Sequence, residues 1–305
     1  MRFMKRRYSP ALVVATLSLA FAGGAYAQDA AKGASLMTAA RTALGGEDKL
    51  RAVKTLEVKS DFKRTAGQNT LEGDLELRIE RPGKMRRDED LSLPGGGPSI
   101  IRTEVLNGAE VWDENSGAGG FGGFGGGGGR GFGGGRGRDQ AGRAAGAPAP
   151  ARAIDPVQLK ELQHRTRQAD LSRFNLMWLL DTDAPVAWVG TAESPDGKAD
   201  VLEITPAEST PMRLFLDQVT HMPLMVTWQG TAGPGGRRGR GDQAAQPGAP
   251  AIPPTQQLTL GEYKAVNGIK LPHHITRGAN GQTMEEWTVK SYKLNPSFKS
   301  DVFNK

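Results

Sequence analysis

Four histidines, His164, His221, His273 and His274, are the only side chains in this 305-residue chain that ordinarily titrate near neutrality. Proton transfer at neutral pH would have to start from them. His273 and His274 are neighbours in a run that alternates as a strand, Leu271–Arg277, so they point to opposite faces and cannot share a metal ion without a bulge. No His-Glu-x-x-His, no Gly-x-Ser-x-Gly and no carboxylate pair around a histidine accompanies them. Cysteine is absent, which removes thiolate nucleophiles, thiolate metal sites and disulfides together. The expected roles are a turn residue for His221 and strand-surface residues for His273 and His274. No metal, no cofactor and no enzymatic activity are expected.

Two further patterns look chemical and read otherwise. Asp88-Glu89-Asp90 has the charge of a hard-cation site, but such loops space their ligands around a turn glycine. It is expected to be a solvated strand end. The glycine tract between Gly117 and Gly137 contains matches to Gly-x-Gly-x-x-Gly by composition alone, with no β-α-β context. Its Phe-Gly and Arg-Gly repeats are similar to base-stacking segments of RNA-binding proteins. The chain carries an export signal, so no nucleic-acid partner is expected.

That signal is Arg2, Lys5, Arg6 and Arg7, then the apolar run Ala11 to Ala22, then Ala25-Tyr26-Ala27. A basic n-region, a short apolar core and small residues at the end define a secretory signal peptide. Cleavage after Ala27 and a periplasmic location follow, with residues 28–305 as one domain and not an integral membrane protein. The formal charge of +6 then divides. Four positive charges belong to the signal. Arg130, Arg136, Arg138, Arg143 and Arg152 against Asp139 lie in 116–153, and Arg237, Arg238 and Arg240 against Asp242 lie in 230–254. What remains for folding is acidic, so no basic domain is implied. Both of those segments are low in complexity and too poor in apolar residues to offset their ordering entropy, and are expected to be disordered insertions.

With chemistry so thin, the apolar surfaces carry the functional reading. Leu56, Val58, Ser60 and Phe62 alternate with Glu57, Lys59 and Asp61 over 55–63. Leu71, Leu75, Leu77 and Ile79 alternate with charged residues over 70–81. Period two with one charged face marks strands packed on one side only. Ten further strands are expected at 84–92, 99–106, 109–114, 186–192, 199–205, 212–217, 224–229, 256–263, 271–277 and 283–293. Asn267-Gly268 and Asn280-Gly281 are hairpin turns, because a type I′ turn needs positive φ at both central residues. Residues 295–303 then form a closing strap with aromatic anchors Phe298 and Phe303. Helices are expected at Ala30–Leu44, ended by Gly45-Gly46, and at Glu47–Val53, Asp155–Ala169 and Leu171–Leu180. Strands outnumber helices and no β-α-β alternation occurs. The fold class is α+β: one large, curved antiparallel sheet of about 11–12 strands with helices clustered against it.

Leu75, Leu77, Ile79, Trp112, Trp188, Leu202, Ile204, Leu214, Leu216, Val226, Trp228 and Trp287 are expected to line a partly unfilled hollow on that sheet. Phe174, Met177 and Trp178 are expected to form a lid that plugs it when no ligand is bound.

Four stretches carry a family resemblance: Ala43–Phe62, Leu71–Asp90, the hairpin Met212–Trp228 and the C-terminal run from Glu262. Together they resemble the LolA-like superfamily of periplasmic half-barrels, the LolA/LolB and outer-membrane lipoprotein-sorting type. The resemblance implies an unclosed barrel whose apolar inner face, lidded by helices, shelters acyl chains. A carrier of a lipid or lipoprotein acyl chain is therefore the first expectation. The alternative is a non-catalytic module that contacts envelope components through its Gly/Arg-rich loops.

Overall fold

A computed structural model describes residues 29–67, 69–93, 99–116, 155–180, 183–195, 197–206, 209–230 and 253–305. The expected export signal and nearly all of both expected insertions, 116–153 and 230–254, lie outside the described residues.

The chain opens with α1 (Ala30–Leu44) and α2 (Glu47–Ala52). Asp29 caps α1 by accepting from the Lys32 amide at 2.7 Å. Gly45 and Gly46, at φ of 135° and 110°, end it where a side chain would be strained. Arg41 donates to Glu47 at 2.9 Å and ties the two helices.

Five strands follow: β1 (Thr55–Ala66), β2 (Asn69–Glu80), β3 (Lys84–Ser92), β4 (Ile100–Asn107) and β5 (Glu110–Ser116). After α3 (Pro156–Met177) come β6 (Val186–Ser194), β7 (Gly197–Ile204), β8 (Met212–Asp217), β9 (Pro223–Gln229), β10 (Thr255–Val266), β11 (Ile269–Ala279) and β12 (Gln282–Leu294). All twelve strands join one antiparallel sheet in the order β5-β4-β3-β2-β1-β12-β11-β10-β9-β8-β7-β6. The two meanders meet where β12 returns to pair with β1, Phe62 opposite Trp287. The β10–β11 and β11–β12 turns hold Asn267-Gly268 and Asn280-Gly281 at positive φ throughout, as their sequences demand.

One expectation fails at residue 170. The two helices foreseen over 155–180 are a single 22-residue helix, capped by Asp155 ahead of Pro156. Aspartate at an exposed mid-helix position would weaken it, but Asp170 is buried and paired with two arginines, so tertiary contacts carry the helix through.

The helices cover one face of the sheet. α3 packs most closely on β3, β4 and β5 at one flank and on β8 and β9 at the other. These strands are far apart in the sheet order, so α3 spans a curved floor as a chord spans an arc. α1 covers the remaining side, from the edge strand β6 to β11. Its entry is fixed by an isolated bridge between Asp29 and Trp188, with N–H···O distances of 3.2 and 2.9 Å. The outer face carries the C-terminal strap. Arg86 donates to the Val302 carbonyl at 2.9 Å, and Phe298 and Phe303 meet edge-to-face at 5.7 Å.

Candidate functional site

The inner face is apolar along its floor. Leu56, Val58, Phe62, Leu75, Leu77, Ile79, Leu214, Leu216, Val226, Ile275 and Trp287 are all buried and belong to one continuous cluster. Direct cross-strand pairing explains why: Ser60 faces Leu75, Phe62 faces Trp287, and Leu202 faces Leu214, so alternate residues of each strand line up on one side.

α3 closes over this floor with its C-terminal half. Phe174, Met177 and Trp178 are essentially without solvent contact. Phe174 stacks against Trp287 with centroids 5.6 Å apart and against Trp178 at 6.2 Å. Trp178 meets Tyr292 edge-on at 6.2 Å, and Tyr292 donates to the Pro272 carbonyl. Burial raises the Tyr292 phenol above its ordinary range, so it is a neutral donor. The interior is thus filled by side chains, where the sequence reading expected it partly open. The filling comes from the helix and not from the sheet. Two clefts of about 400 Å³ lie elsewhere: one beside the strap at Glu57, Arg78 and Phe298, the other at the ends of β1, β2 and β12.

Several polar atoms in this interior have no protein partner. Ser60 Oγ, Trp287 Nε1 and Asn175 Oδ1 are buried without a hydrogen bond. A finished apolar core rarely leaves such groups unsatisfied.

One flank of the inner face is not apolar at all. Arg64 and Arg87 each pair with both Glu89 and Glu285, at N–O distances of 2.7 to 2.9 Å. Glu89 is 1% exposed and Arg87 3%. Burial alone would raise Glu285, yet Arg87, Arg64 and Arg277 hold it well below the usual carboxylate range. Further along, Arg167 of α3 reaches Glu104 at 2.8 Å and Asp113 at 3.1 Å. Asp170 joins Arg173 at 2.7 Å to Arg277 at 3.3 Å. The helix is therefore fastened to the sheet by ion pairs at its middle and by aromatic packing at its end.

The placement of the residues chosen from sequence divides. Leu75, Leu77, Ile79, Leu202, Ile204, Leu214, Leu216, Val226, Trp228 and Trp287 lie in the inner cluster. Trp188 is half-buried on the edge strand β6, with its indole donating to Asp200 at 2.9 Å and Lys32 Nζ 3.4 Å from its ring. Trp112 faces the other way. It pairs with Val105 while the adjacent Glu104 points to α3, and its indole donates to the Phe303 carbonyl at 3.3 Å beneath the strap. Sequence alternation on β5 could not tell the two faces apart, because the strap makes the outer one half-buried as well.

Asp88-Glu89-Asp90 is likewise no solvated strand end. Asp88 binds Arg78 and Arg86 on the outer face, while Glu89 anchors the buried ionic cluster on the inner one. The signal for that cluster was present in β3, whose residues are charged on both faces. His273 is buried, with Nδ1 3.0 Å from the Leu271 carbonyl, where a surface position was expected. His274 sits on the opposite face beside Glu286 at 2.9 Å, and His221 lies in a turn at φ 56°. No group of three potential metal ligands occurs among the described residues. No helix among them is long and apolar enough to cross a membrane.

Among solved structures, the chain is similar to a LolA superfamily protein from Nitrosomonas europaea, at 12% identity and a TM-score of 0.42. It is also similar to a DUF1329 family protein from Desulfovibrio piger, at 10% identity and 0.42. A third chain, from Vibrio parahaemolyticus and named for an outer membrane lipoprotein-sorting domain, gives 12% and 0.41. Each match covers 90% of this chain and 97% of the other. At such identities and scores the likeness carries no argument about family, ligand or activity. No protein-family model and no curated protein matches the chain.

Proposed function

We propose that this protein is a non-catalytic binding protein that shelters an acyl chain, of a lipid or of a lipid-modified protein, on the inner face of its sheet. The carrying observation is the chord-like path of α3. Between its backbone and the β12–β1 floor, the space is filled by Phe174, Met177 and Trp178, side chains borne by one helix. Withdrawing that helix end bares a continuous apolar floor without breaking a single strand pairing. An acyl chain laid there gains about 0.8 kcal/mol per buried methylene. Ser60 Oγ–H and Trp287 Nε1–H then offer donors to an ester or amide carbonyl along the chain. Location in the periplasm belongs to the same reading and rests on the N-terminal signal pattern.

The test is to purify the protein from envelope extracts, extract it with organic solvent, and identify bound species by mass spectrometry. An acylated molecule at near-stoichiometric amount is expected. Protein that carries none and also fails to bind added monoacyl lipid would end the proposal.

A further inference from the structure

At the rim of the inner face, where β9 and β11 end, two guanidinium groups share one carboxylate. Asp170 Oδ1 accepts from Arg173 Nη1 at 2.7 Å and lies 3.3 Å from Arg277 Nη2. Both arginines lie over the Trp228 ring, at 4.4 Å and 5.7 Å from its centroid. Arg173 Nε is buried with no partner. Glu285, the acid opposite Arg277 across the β11–β12 ladder, is already engaged by Arg64 and Arg87. Arg167 is likewise committed to Glu104 and Asp113. Asp170 is thus one carboxylate hydrogen-bonded to two guanidinium groups, and Glu285, which Arg277 also feels, makes its own contacts with Arg64 and Arg87. The side chain of Arg277 keeps 22% of its exposure, so the pair opens toward solvent.

Such an arrangement is expensive for its own sake, because buried ion pairs seldom stabilise more than apolar packing would. It is efficient as a recognition device. A planar donor fork on an aromatic platform fits an oxyanion, and guanidinium is the cation whose geometry matches one bidentately. Asp170 rides on α3, the same helix that plugs the floor, whereas Arg277 and Trp228 belong to the sheet. Burial and, less strongly, the like charge of Arg277 lower the Arg173 pKa, against the pull of Asp170.

We infer that Arg277 over the Trp228 ring forms a sheet-borne subsite for an oxyanion headgroup, for which the Asp170 carboxylate is the internal stand-in while α3, which also carries Arg173, is closed. The inference rests on the carrier reading and narrows it: the ligand is an anionic amphiphile, its head at this rim and its chain along the floor. Arrival of the head competes with Asp170 for Arg277, so binding and withdrawal of the helix become one event.

The experiment compares three probes on the full mature protein by titration calorimetry: monopalmitoyl phosphatidate, monopalmitoylglycerol and inorganic phosphate. The phosphatidate should bind at least about tenfold tighter than the neutral lipid, the size expected of one charge-assisted contact. Arg277→Gln should erase that preference and bring the two lipid affinities together, and Arg277→Lys, which keeps the charge, should restore part of it. Asp170→Asn should tighten the phosphatidate by removing its competitor. Equal binding of both lipids, in the native protein and in Arg277→Gln, would overturn the headgroup subsite and leave the carrier intact. Arg277-dependent binding of phosphate alone, with neither lipid bound, would keep the oxyanion site and sink the carrier.

Discussion

Truncating Phe174 to alanine separates a plug from an ordinary core residue. The ring is 1% exposed and packs against Trp287 at 5.6 Å and Trp178 at 6.2 Å. In the ligand-free protein its removal should cost about 3–5 kcal/mol, the range for a buried aromatic reduced to alanine. In the complex the side chain has already left the floor, so the same truncation should cost far less. About four methylenes of acyl chain occupying the vacated volume return roughly 3 kcal/mol. The variant should therefore be weaker alone yet bind monoacyl lipid about a hundredfold tighter, the equivalent of some 2.7 kcal/mol. Urea unfolding of both proteins, with and without saturating lipid, reads this directly, because lipid should close most of the gap between the two midpoints. A gap that persists unchanged in saturating lipid would show that Phe174 stays where it is, and the plug would be no plug.

Two further outcomes follow from the same geometry. Glu285 is held well below the usual carboxylate range, and Asp170 below it too, burial being outweighed in both by neighbouring arginines. Above about pH 4.5 these acids are ionised in folded and unfolded chains alike and their contribution is complete; below that the unfolded chain takes up protons the folded one refuses. Stability should fall steeply from pH 4.5 toward pH 3, and Glu285→Gln should lower stability at pH 7 while flattening that fall; an unaltered pH slope in the variant would count against the assignment. Gly33 in α1 approaches β6 so closely that a Cβ would lie 2.9 Å from the Ala187 carbonyl carbon and the Trp188 nitrogen. Gly33→Ala should therefore lower the melting temperature, although the same change in a free helix gains about 1 kcal/mol; a rise in melting temperature would mean that α1 does not dock there.

The strands and caps were legible in the chain because their causes are local. Alternation over 70–80 gave the buried Leu71, Leu75, Leu77 and Ile79, the Asn-Gly pairs gave two hairpins, and Asp155-Pro156 marked the start of α3 to the residue. The apolar floor of the candidate site was legible for the same reason. Its charged flank was not. Arg64, Arg87, Glu89, Asp170, Arg277 and Glu285 come from five elements, and no single element contains more than two of them.

What the sequence by itself determined is the twelve strands, the inward side of most of them and the start of the long helix. Only the tertiary structure decided that Asp170 lies inside a helix, that Trp112 turns away under the strap, and that α3 is fastened to the sheet by buried ion pairs. Backbone preference and side-chain period act over a few residues and are written along the chain. Which charges may be buried depends on partners that register across twelve strands brings within 3 Å, and that is settled only when the sheet closes around its helix.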